Sequence, residues 1–297
     1  MMKWFLGILL LSMLSPVHAA RQEGFTQGAD KVRIHYLQSG PAHARHTLLL
    51  IPGWRISASI WSRQLERFAA QGDRVVAIDP RSQGKSSMVP AGNAPEDRAA
   101  DIQRVIASLH LRHVILVGWS QGAQDVAAYV NRFGTNAVDA LVLVDSPVSA
   151  GPADVALNPG FIKVIAAGMG TYAKSPRAYS DGMMRAIMHA PPQGLSFQSL
   201  DDTAMKTPVD TGISMLTQDL FTTDRRPYLK KFDKPTLVIA SGESPLLDAQ
   251  QQMARQLPHA RFRIIRNASH AVFVDQPDVF DKLIMEFIDS LDPKSGQ

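Results

Sequence analysis

Ser120 lies in Gly118-Trp119-Ser120-Gln121-Gly122, directly after the apolar run Val114–Val117 and directly before a stretch with helical spacing. A G-x-S-x-G pentapeptide between strand and helix forms a sharp turn that lifts the serine hydroxyl above the end of a sheet. The chemistry open to such a serine is nucleophilic attack on a carbonyl, giving a covalent acyl intermediate. As a bare pattern the pentapeptide is weak, because a Gly-rich structural turn reads the same way. The strand before it and the helix after it favour the nucleophile.

A serine nucleophile needs a base and a place for the negative oxygen that forms on the carbonyl. His270, in Asn267-Ala268-Ser269-His270, follows the last apolar run near the end of the chain. A histidine on such a loop can reach over the serine and accept its proton. The other histidines sit within strands, in early turns or beside strand starts. For the oxyanion, Thr47–Ile51 runs into Pro52-Gly53-Trp54-Arg55. Pro52 has no N–H and cannot donate. The backbone amides of Trp54 and Gln121 are the expected donors. An ordinary strand-to-loop turn is the plain alternative for this segment.

These groups converge only if strand ends converge. Val32–Tyr36, Thr47–Ile51, Arg74–Ile78, Val114–Val117, Leu141–Val144, Pro235–Ala240 and Phe262–Ile265 read as strands. Continuous Val/Ile/Leu runs suit strands buried on both faces, as in parallel sheets. Helical spacing is seen over Ile60–Gln71, Ala99–Leu109, Gln121–Phe133, Asp248–Leu257 and Pro277–Leu291. The alternation predicts an α/β chain with a mostly parallel, doubly wound sheet. From 149 to 229 no buried-strand signal occurs, and the segment is too long for a structureless loop. A helical cap inserted into one core domain (20–148 and 230–297) is expected there. Its Met169, Met183, Met184, Met188, Met205 and Met215 suit an adaptable apolar pocket or plain packing.

Pro52-Gly53-Trp54, the Asp79–Ser86 loop, the serine turn and the His270 loop come in α/β-hydrolase order. Over about residues 31–290 the chain resembles the esterase, lactonase and cofactor-free haloperoxidase branch of that superfamily. The resemblance implies the α/β-hydrolase fold, and a structural role for Asp79 and Arg81 at the rim. It also implies a carboxylate to orient the histidine. Relatives usually carry this as Asp after the strand that follows the cap. Here Ser244 occupies that place, and serine cannot stabilise an imidazolium as a carboxylate does. Asp145, ending the strand before the cap, is the first candidate. Glu243 is the alternative, with Asp248 behind it. Asp145 is also well placed merely to cap a turn. Pro52 and Asn267 depart from the histidine and glycine common in relatives.

Composition narrows the rest. Cysteine is absent, which excludes disulfides, thiolate metal sites and a cysteine nucleophile. The formal net charge of +4 is scattered without a basic stripe, so no nucleic-acid partner is expected. No metal cluster or phosphate loop is seen, and no cofactor is expected. Lys3, the apolar run Trp4–Leu14 and Val17-His18-Ala19 read as a signal peptide over 1–19. That run is shorter than the roughly twenty residues of a spanning helix. Export to periplasm or medium without a permanent membrane anchor is therefore expected. The sequence points to a serine hydrolase acting on a small-molecule ester or lactone. A perhydrolase or haloperoxidase-like activity and a non-catalytic binding homologue stand behind it.

Overall fold

The computed structural model describes residues 21–148 and 159–292. The expected signal segment 1–19 and the first ten residues of the expected cap lie outside the described residues. Eight strands form one sheet: β1 (Gln22–Gln27), β2 (Arg33–Ser39), β3 (Thr47–Ile51), β4 (Arg74–Ile78), β5 (Val114–Trp119), β6 (Val138–Val144), β7 (Thr236–Ser241) and β8 (Ala260–Ile265). Their order is β1-β2-β4-β3-β5-β6-β7-β8. Strands β3 to β8 run parallel, and β2 is antiparallel to both β1 and β4.

Helices α1 (Ser62–Ala69), α2 (Pro95–Ser108), α3 (Gln121–Phe133), α4 (Pro159–Lys174), α5 (Pro176–Ile187), α6 (Phe197–Ala204), α7 (Val209–Phe221), α8 (Leu247–Gln256), α9 (Val272–Asp275) and α10 (Pro277–Asp289) complete the described chain. Alternate residues of each central strand feed two cores. Leu48, Leu50, Ile115 and Val117 pack with α1 and α10 through Phe68, Phe280 and Phe287. Leu49, Ile51, Leu116 and Val114 pack with α2, α3 and α8 through Ile102, Val126 and Met253. Both faces are covered, which is why these strands lack polar alternation. Helices α4 to α7 lie between β6 and β7.

Three details differ from the sequence reading. β1, QEGFTQ, was not expected. It is a polar, largely exposed edge strand and carries no apolar period. α2 begins at Pro95 rather than Ala99, with Pro and two acids in its first turn, an arrangement that suits a helix start. A short helix that was not expected, α9, precedes the last helix and is separated from it at Gln276, ahead of Pro277.

The sheet order reverses at β3. The chain leaves β3 for β4 on one side and returns to β5 on the other. A crevice opens at such a switch, above the carboxyl ends of the strands. Ile51 pairs with Gly118, Trp119 with Val144, and Val144 with Ile239. The loops after β3, β5, β6 and β7 therefore leave the sheet at one level.

A buried arginine ties the helices between β6 and β7 to the core. Arg98 on α2 donates through Nε to both carboxylate oxygens of Asp125 on α3, at 2.8 and 3.0 Å. It reaches Asp219 on α7 at 2.7 Å. Removing one partner of a buried ion network leaves uncompensated charge, at a cost of roughly 3–5 kcal/mol. Arg98→Met strands two carboxylates and is expected to lose about that much stability, read as a lower urea midpoint. At the opposite end of the sheet, burial pushes the Asp73 carboxyl up to about 6, with His46 opposing and Asp289 and Asp292 reinforcing the shift. The folded state thus holds this proton more tightly than the unfolded chain. Its stabilising effect is complete below about pH 4 and is lost as pH rises through about 6. The Tm gained by Asp73→Asn is therefore expected to be larger at pH 8 than at pH 4.5.

Candidate active site

Ser120 has φ +57° and ψ −121°, a strained conformation for a residue with a side chain. Close packing imposes it. A β-carbon on Gly118 would lie 2.3 Å from the Gly122 carbonyl oxygen, and one on Gly122 would lie 2.6 Å from the Ile51 oxygen. Only hydrogen fits at either position, so α3 closes directly onto β3 and β5. The Ser120 amide donates to Val144 O at 3.0 Å, which fixes the turn against β6.

Asp145 follows β6 with φ +43° and is buried. His270 Nδ1 lies 2.8 Å from Asp145 Oδ2. Asp145 Oδ1 accepts from the Ser241 amide at 2.9 Å and from Gln250 Nε2 at 3.0 Å. Burial pushes the Asp145 carboxyl up, but the His270 ring, its charge, Gln250 and the Ser241 amide outweigh it and hold the group below the ordinary range. A charged acceptor at Nδ1 fixes the ring's tautomer and leaves Nε2 as the basic nitrogen. Glu243, in the loop after β7, and Asp248, in the first turn of α8, are exposed and make no ion pair among the described residues. Ser244 instead accepts from Gln250 at 3.0 Å, beside the bond from Gln250 to Asp145.

The His270 loop is clamped from three sides. Trp119 Nε1 donates to the His270 carbonyl at 3.0 Å. Ser241 Oγ donates to Ala268 O at 2.6 Å. Asp275 accepts from the Ser269 amide and hydroxyl at 2.8 and 2.6 Å. Trp119 itself packs edge-on against Trp61 and Phe273, which stack on each other. The sequence reading gave no role to Trp119, Ser241 or Gln250. The position of Trp119 inside the serine turn was its one available signal, and nothing in the sequence singles out Gln250.

The loop after β3 passes close to the serine, since a β-carbon on Gly53 would sit 3.0 Å from Ser120 Cβ. Trp54 Nε1 donates to Gly212 O on α7 at 2.9 Å. Arg55, with φ +60° and no exposed surface, donates to Ala204 O and Ser180 Oγ and stacks 4.3 Å from the Tyr172 ring centroid. Gln121 opens α3, so its amide is among the N–H groups without a helical acceptor. Asp79 accepts from Ala58 N, Lys85 N and His35 Nδ1, and Arg81 forks onto Asp101. Both bind neighbouring loops together and lie away from the cavity lining.

Ser120, Asp145 and His270 line one cavity of about 360 Å³. Its roof is apolar and comes from α4, α5 and α7 as Ile162, Ile165, Met183, Ile187 and Leu216. Of the methionines between β6 and β7, Met183 faces the cavity, while Met184, Met188 and Met215 are buried in packing. Among the described residues no cluster of three or more His, Asp or Glu side chains suits a metal ion. None of the described helices is long and apolar enough to cross a membrane.

A family model described as the alpha/beta hydrolase family matches residues 48–283. A non-heme haloperoxidase of Rhodococcus erythropolis is 26% identical over 286 residues, covering 90% of this chain and 99% of the relative. Among solved structures, an esterase from Exiguobacterium antarcticum superposes with TM-score 0.79 at 20% identity, over 89% of this chain and 98% of that one. A bromoperoxidase from Bacillus anthracis gives 0.78 at 20%, over 90% and 100%. At these identities the structural likenesses show the fold.

Asn267 has φ +53° and is exposed, and its carbonyl accepts from Gln276 Nε2 at 2.9 Å. Asn tolerates the left-handed region, and most other side chains cost about 1–2 kcal/mol there. Asn267→Ala is expected to lose about 1 kcal/mol in denaturant titrations, while Asn267→Gly stays within a few tenths of wild type.

Proposed function

Since this chain belongs to the alpha/beta hydrolase family, we propose that it is a serine hydrolase that cleaves carboxylic esters or lactones through an acyl-enzyme on Ser120. One observation carries this reading: a strained, cavity-facing serine shares its cavity with a histidine whose Nδ1 is held by a buried carboxylate. Neutral His270 takes the Ser120 proton as the hydroxyl oxygen attacks the carbonyl. Asp145 stabilises the imidazolium that results. The amides of Trp54 and Gln121 receive the oxyanion, each contributing on the order of 3 kcal/mol in the transition state. Protonated His270 then gives its proton to the leaving alcohol. Water, activated by the same histidine, releases the acid. The apolar roof suits an uncharged acyl or alcohol group of small to medium size.

The similarity to proteins named as haloperoxidases supports a second reading on the same residues. Hydrogen peroxide would replace water in the second half-reaction and carry the acyl group away as a peroxy acid. Peroxide-dependent halide oxidation that requires an organic acid and Ser120 identifies this route.

We also propose export, on the strength of residues 1–19. Mass spectrometry of the purified mature protein tests it, with a new N-terminus expected near Ala20.

Hydrolysis of p-nitrophenyl acetate is expected, with loss of about five orders of magnitude in kcat for Ser120→Ala. Asp145→Asn is expected to lower kcat by about 10⁴, and Glu243→Gln by less than about twofold, as for a surface group away from the site. The reverse order for the two carboxylates refutes the assignment of the acid. No turnover and no labelling of Ser120 by a fluorophosphonate refutes the serine hydrolase itself.

A further inference from the structure

The apolar cavity has one polar wall that the acyl-transfer chemistry leaves unused. Gln121 and Gln124 stand three residues apart on one face of α3, and both line the cavity. Gln121 Nε2 donates to Asp219 Oδ2 on α7. A carboxylate only accepts hydrogen bonds, so this contact settles which end of the amide is which. The Gln121 nitrogen faces Asp219 and its oxygen faces away. That oxygen is buried and has no partner among the described residues.

Gln124 is just 6% exposed, its Oε1 is equally orphaned, and its side chain makes no hydrogen bond among the described residues. An unsatisfied buried polar atom costs roughly 1–3 kcal/mol. Two carboxamide oxygens left unpaired, within one turn of the nucleophile, mark a wall built for a polar group of the ligand.

Charge narrows that group. Arg98 lies between Asp219 and Asp125, so the carboxylate behind Gln121 is already paired. Among the described residues, nothing in the wall offers an open negative charge to an ammonium, and nothing offers a free cation to an acid. The matching group is neutral. It donates to Gln121 Oε1 and accepts from the Gln124 carboxamide nitrogen. A secondary amide has this pattern in one rigid unit, with N–H and C=O on neighbouring atoms.

Building on the serine hydrolase reading, we propose that Gln121 and Gln124 form a subsite for a secondary amide carried on the acyl side of the ester, within about one residue's length of the scissile carbonyl. The favoured substrates are therefore N-acylamino acid esters or lactones rather than plain alkanoate esters.

The test uses two ethyl esters that differ by N–H against CH₂: ethyl N-acetylglycinate and ethyl 4-oxopentanoate. Binding to the Ser120→Ala protein is followed by the fluorescence of Trp54 and Trp119, which line the cavity. The amide ester is expected to bind about tenfold more tightly, the equivalent of one net hydrogen bond. Adding Gln124→Met should bring the ratio below about threefold. Equal affinities in Ser120→Ala overturn the subsite, whatever the second substitution does to folding. Turnover of both esters by the unaltered protein is measured separately. Turnover without a binding preference overturns the subsite alone. A tenfold preference without turnover supports the subsite and overturns the catalytic reading.

Discussion

The top of this sheet depends on how closely one helix can approach two strands. Gly118 and Gly122 carry no β-carbon because each faces a backbone oxygen at a distance that forbids one. That contact bends the chain from β5 into α3 within a single residue. Ser120 takes the strain as a left-handed φ, and the strand pairing around it resists relaxation. The same approach sets the first amide of α3 beside the serine. The loop after β3 then has only the space that Gly53 leaves.

The carboxylate that meets His270 is held from two neighbouring strands. The neighbouring strands β6 and β7 end at one level, so the loops after them offer two starting points for reaching the same imidazole nitrogen. Here the carboxylate on the His270 ring follows β6, at Asp145, and the loop after β7 supports it. Ser241 and Gln250 donate to its second oxygen, and Ser244 accepts from Gln250. A small hydroxyl at position 244 leaves room for that arrangement, in which the loop after β7 has become a scaffold for the carboxylate.

Much of this was legible in the sequence. The buried strands announce themselves as continuous Val/Ile/Leu runs because both their faces are covered. The meeting of Ser120 and His270 at one cavity follows from motif and chain order. Asp145 and Glu243 stayed open because each is one short loop from the histidine, and only the path of the backbone separates a buried acid from an exposed one. β1 was invisible because an exposed edge strand needs no apolar period. Gln124, Asp219 and Gln250 were invisible for another reason. Their significance lies in hydrogen bonds made or left unmade across long sequence separations, and no local pattern encodes those.

The helices between β6 and β7 grip both loops that flank the serine. Gly212 accepts from the Trp54 indole, and the Ile187 carbonyl accepts from the Ala271 amide at 2.7 Å. Arg55 extends the first grip into α5 and α6. Such a segment is not an interchangeable hat on a finished enzyme. A different segment would have to place two backbone carbonyls at the same points to hold the loops on both sides of Ser120. The roof and the machinery beneath it are constrained to change together.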